Sequence, residues 1–89
     1  MIHLLRQKAS AAQVVEMQEA LDVYIKVAVD IERGVLAGGG ALHADCEAVL
    51  LEDGSQQIDI WGADWIPSIQ DASVRDRVKK VVESLLGGT

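Results

Sequence analysis

Residues 24–54, YIKVAVDIERGVLAGGGALHADCEAVLLEDG, decide the fold: they carry the clearest strand, a glycine triplet, the one cysteine and the tightest His/Asp/Glu cluster. From Tyr24 to Ile31 the chain alternates, with Ile25, Val27, Val29 and Ile31 on one side and Tyr24, Lys26, Ala28 and Asp30 on the other. A period of two with β-branched residues on one side predicts a half-buried strand. Glu32-Arg33-Gly34 supplies turn chemistry, so Val35 to Ala37 is expected to return antiparallel. Gly38-Gly39-Gly40 is read as a break in the ladder and a flexible connector, since glycine neither packs nor holds a strand well. Ala41 to Asp53 has two readings. As a helix it aligns Leu42, Cys46, Val49 and Leu50 and places Gly54 at the left-handed cap. As a strand it makes Asp53-Gly54 a hairpin centre, but the run Val49-Leu50-Leu51 spoils the alternation. The helix is the preferred reading.

Outward from this stretch, Ile2 to Leu5 predicts a short first strand. Ser10 with Gln13 is a capping-box pattern, and Val14, Met17 and Leu21 form the stripe of the helix it starts. Gln56 to Trp61 alternates, with Ile58 and Ile60 on one side, and Gly62 to Pro67 reads as a loop. Asp71 is a suitable N-cap for a last helix striped by Val74, Val78, Val81, Val82 and Leu85, and Gly87-Gly88 ends it. The order is that of an α+β protein, a ferredoxin-like split β-α-β-β-α-β sheet with an added C-terminal helix, in one domain over residues 1–89. Right-handed crossovers then predict the first two helices on one face. The last helix is expected on the other, over Leu5, Tyr24, Ala28 and Trp61, or on the same surface of a second subunit.

With 89 residues and 49% hydrophobic composition the chain has material for a core, although it lacks phenylalanine. A domain this small buries somewhat over ~60% of its unfolded surface. The net charge of −6 disfavours phosphate backbones and anionic membranes. One cysteine forms no internal disulfide, and no run approaches a membrane span or a signal sequence, so a cytoplasmic location is expected.

His43, Asp45 and Glu47, with Cys46 among them, are the densest potential ligands. On a helix His43 and Glu47 share a face, enough for two metal ligands or for one base with its orienting carboxylate. A catalytic zinc needs a third ligand, for which Asp30, Asp59 or His3 would have to serve. The plainer reading is a solvated, acidic helix start, with no metal assigned. Cys46 on the apolar stripe reads as a buried structural thiol rather than a nucleophile. Before a helix N-terminus the glycine triplet has an anion-binding reading too, but it matches no phosphate-loop pattern. Tyr24, Trp61 and Trp65 are the interface candidates, with base stacking the lesser use in so acidic a chain. Arg75, Arg77, Lys79 and Lys80 read as a solvated helix edge.

YIKVAVDIERGVLAGGGALHADCEAVLLEDGS, followed by DIWGADWIP, resembles a family of short prokaryotic proteins known only as a domain of unknown function. The resemblance covers Tyr24 to Pro67, with a weaker echo in IQDASVRDRV, and it implies relatives without implying a reaction. It also implies a longer segment before the last helix, which is absent here, where Pro67 is followed almost at once by Ile69 and Asp71. These observations predict a non-catalytic, self-associating binding or structural module. The alternative is a small metal-dependent or acid–base enzyme using His43, Asp45 and Glu47; nucleic-acid binding is the third and least favoured.

Overall fold

A computed structural model describes residues 1–68 and 76–88. The chain runs β1 (His3–Leu5), α1 (Ala11–Gln18), β2 (Ile25–Asp30), β3 (Val35–Gly40), α2 (His43–Glu52), a 3₁₀ turn (Gln57–Asp59), β4 (Ile60–Trp65) and α3 (Asp76–Leu86). The class is α+β, and the stretch 41–53 holds a helix, His43–Glu52, as preferred over a strand. Ser10 caps α1 through both arms of the capping box, its hydroxyl accepting from the Gln13 N–H while the Gln13 side chain takes the Ser10 N–H. Asp71 and Val74 lie outside the described residues, but Val78, Val82 and Leu85 form the buried stripe of α3.

Strand order departs from the ferredoxin-like expectation. The four strands lie in the order β1-β3-β2-β4, every neighbouring pair antiparallel. The ferredoxin-like sheet sets its fourth strand beside the first; here β4 lies at the opposite margin, beside β2. The side to which a right-handed crossover carries its helix depends on strand direction and on the lateral direction of the step. β1 steps over β3 to reach β2, and β3, running the other way, steps over β2 in the same lateral direction. The two helices therefore belong on opposite faces.

The cores agree. On one face Val14 and Met17 of α1 and Val78, Val82, Leu85 and Leu86 of α3 pack on Leu5, Ile25, Val27, Val29, Leu36 and Trp65. On the other, Cys46 and Leu50 of α2 pack on Ala28, Val35, Ala37 and Ile60. Thus α3 joins α1 rather than standing opposite it, and Ala28 lies beneath α2 instead. β2 is consequently buried on both faces, not half-buried.

The glycine triplet is strand, not connector. Lys26 pairs with Gly40 but Val27 pairs with Gly38, which leaves Gly39, at φ +105°, as the extra residue of a bulge. A Cβ on Gly38 would stand 3.3 Å from Met17 Sδ of α1, and one on Gly40 would stand 3.2 Å from Cys46 Sγ of α2. The bare backbone lets a helix press on each face. Two further expectations are corrected. Leu42 is the N-cap of α2 and 60% exposed, outside the stripe that Cys46 and Leu50 form. Residues 57–59 turn before β4, leaving Ile58 83% exposed, and β4 takes up most of the expected loop.

Candidate functional site

The candidate residues fall into two groups at opposite ends of α2. At its C-terminal end Asp30, fully buried at the close of β2, accepts the Glu32 and Arg33 N–H groups on Oδ1, each at 2.9 Å. This caps the turn into β3. Arg33 then reaches Ser55 Oγ at 2.7 Å and Asp53 Oδ2 at 2.6 Å, and Asp53 also receives Arg6, which follows β1. Burial pushes the Asp30 carboxyl up, but the N–H donors of Arg33 and Glu32, the nearby Ser55 hydroxyl and the Arg33 charge outweigh it. The carboxyl therefore titrates below its ordinary range. Asp53 is held down chiefly by its bond from Arg33 and further by Arg6, against a smaller upward push from desolvation. These contacts tie β1, the β2–β3 turn and the end of α2 together. Asp30 Oδ2 is buried with no hydrogen-bond partner among the described residues.

At the N-terminal end of α2, the His43 ring lies over Gly62 of β4, 3.4 Å from where a Cβ would stand. Its Nε2 is 3.0 Å from the Ala63 carbonyl and 3.2 Å from Asp64 Oδ1. Both partners only accept, so Nε2 carries the proton and Nδ1 is the basic nitrogen of the neutral ring. Lys26 Nζ stands 3.8 Å from the same Asp64 oxygen and 5.5 Å from the centre of the Tyr24 ring. Next to this set, Val23, Tyr24, Asp64, Ile66 and Ser68 line an open cleft of about 320 Å³.

The orienting carboxylate of His43 is thus Asp64, which sequence spacing missed because it is twenty-one residues away and reaches His43 only through strand pairing. The helical partners turn elsewhere. Asp45 is exposed in the first turn of α2, and Glu47 accepts from Gln57 Nε2 at 3.1 Å. Asp59 sits in the 3₁₀ turn next to Ile60, which pairs with Asp30, at the far end of β2 from Lys26. His3 pairs with Glu16 at 3.1 Å. Among the described residues no three His, Cys, Asp or Glu side chains are grouped to hold a metal ion. Cys46 is fully buried, and burial first, then the Asp45 and Glu47 charges, raise its thiol above its ordinary value.

Of the aromatic candidates, Trp65 is wholly buried and takes no part in a surface, Tyr24 borders the cleft, and Trp61 is 37% exposed on β4. No described helix is long and apolar enough to cross a membrane.

Searches of characterised proteins and of solved structures give no match to the chain. A family model does match, over residues 3–71, extending the resemblance read at Tyr24–Pro67 back to β1 and α1. On that match the chain belongs to the family described as "protein of unknown function" (DUF5674).

Proposed function

We propose that this protein is a non-catalytic binding or structural module that associates with further copies of itself. What carries the reading is how its chemistry-bearing side chains are used. Asp30, Arg33, Asp53 and Ser55 are committed to joining elements, Cys46 is packed in the α2 core, and Glu47 pairs with Gln57. Apolar side chains meanwhile stay exposed along the margin that begins at Ile58 and includes Trp61. Both faces of the sheet carry helices, so the association runs through a margin and not through an open face. The reading includes a cytoplasmic setting, supported by the buried, unpaired thiol of Cys46. Native mass spectrometry and light scattering over a concentration series test it. A dimer or larger assembly at high concentration is the expected result, and a monomer throughout refutes the proposal.

An acid–base site at His43 is the second reading, favoured by the Asp64 contact to its ring. It expects turnover of activated ester or phosphoester probes that is lost in His43→Gln, and equal rates in both proteins would dismiss it.

A further inference from the structure

The backbone of β4 is polarised. The Ile31 N–H donates to the Asp59 carbonyl at 3.1 Å, which makes 31 and 59 a bonded pair. Antiparallel alternation then turns the polar groups of Trp61, Ala63 and Trp65 toward β2, and those of Ile60, Gly62 and Asp64 outward. Of the outward N–H groups, that of Ile60 is taken by the Gln57 carbonyl. No strand lies beyond β4 among the described residues.

Exposed margins are normally guarded by shortness, lysine, proline or a bulge. β1, at the other margin, has three residues and is guarded by shortness. β4 is six residues long, IWGADW, with no lysine, arginine or proline. Its single charge, Asp64, is drawn to His43 and Lys26.

We propose that a second copy of this chain pairs with β4 edge to edge, antiparallel about a two-fold axis at Gly62. This rests on the self-association proposed above and names the surface that makes it. Centring on Gly62 opposes Ile60 to the partner's Asp64 and Trp61 to the partner's Ala63, a large side chain against a small one. Centring on Asp64 would oppose two like charges. Centring on Trp61 would set that large side chain against its own copy instead of against a small one. With Gly62 on the axis, the 3₁₀ turn that holds Ile58, before β4, comes to the end of the partner's β4 that Ile66 follows. Ile66 belongs to the apolar side of the cleft with Val23 and Tyr24. An 83% exposed isoleucine at one end of β4 thus meets the open apolar cleft at the other end of the partner's β4, twice per dimer.

Amide hydrogen exchange on the full chain, at concentrations where the measured mass is dimer and where it is monomer, tests the register. The Gly62 and Asp64 amides should be protected in the dimer and exchange freely in the monomer, while Trp61 and Ala63 stay protected in both. Ile58→Asp should weaken association by roughly tenfold or more with an unchanged circular dichroism spectrum, because it carries a charge into the cleft. A dimer whose Gly62 and Asp64 amides exchange freely would overturn the β4 pairing and leave self-association standing. A monomer at every concentration would overturn both.

Discussion

Asp30 shows how one buried carboxylate organises its surroundings. Its Oδ1 closes the β2–β3 turn, and its charge is kept by donors that outweigh the cost of burial. The folded carboxyl titrates below an unfolded aspartate, near 3.9. Its stabilisation is therefore complete above that value and is lost as pH falls through the folded-state pKa; Asp53 behaves in the same sense. Asp30→Asn keeps an acceptor for the turn but removes the charge. It should cost about 1–3 kcal/mol at pH 7 and flatten the acid limb of a urea-unfolding pH profile. A variant with the wild-type acid limb would show that Asp30 contributes nothing to it. Trp65 offers the contrary case, since its Nε1 is buried with no hydrogen-bond partner among the described residues. Trp65→Phe removes that unmet donor, so its destabilisation should be smaller than the about 2–5 kcal/mol expected for Leu50→Ala in the α2 core. Thermal melts of the two variants decide the order.

Among the elements, β3 is the least tolerant. Gly39 has φ +105°, and a Cβ there would run into the Met1 carbonyl and the Met17 Cα. Gly39→Ala should cost about 3 kcal/mol or more, lowering Tm by upward of roughly 12 °C in a domain of this size. Gly34, at φ +66°, faces open space, so Gly34→Ala bears only the backbone cost, about 1 kcal/mol. Equal melting temperatures for the two variants would contradict the bulge. Elements with side-chain periodicity were legible in the sequence: the Ser10 cap, the β2 strand with Ile25, Val27 and Val29 on one face, the Cys46–Leu50 pair and the Val78–Leu85 stripe all stand, although β2 is buried on its other face too. The triplet was not, because glycines have no side chains to display a period, and a strand made of them looks like a linker. Ile58 misled for the opposite reason: it extends an alternation across a 3₁₀ turn that no residue marks.

Over the whole molecule, the class and the element order could be read from local pattern, whereas the neighbour of β4 could not. Alternation fixes which residues share a face but not which margin a strand joins. That one placement moved α2 to the other face and gave His43 its partner Asp64; His43 is kept from Asp30 by β3, whose far end, Gly40, lies opposite Lys26. With both cores resting on β2, the described elements should unfold in one cooperative step. The amides of Val27 and Val29, which lie in both cores' shared layer, should then exchange only through global opening. Faster exchange there than in α3 would show that the layers part separately.

The central position of the β2–β3 pair has a kinetic counterpart. Its strands are joined by a four-residue turn around Gly34, so their contacts close the shortest loop in the sheet. β1 and β4 are reached only across longer connections, one to each side. The sheet is therefore expected to condense from the middle toward its margins, with φ values high at Val29 and Leu36 and low at Trp61. β4 is one of the two margins added last, and it is the strand proposed above to offer its outward backbone to a second copy, so the monomer must finish its own sheet before that margin exists to recruit a mate.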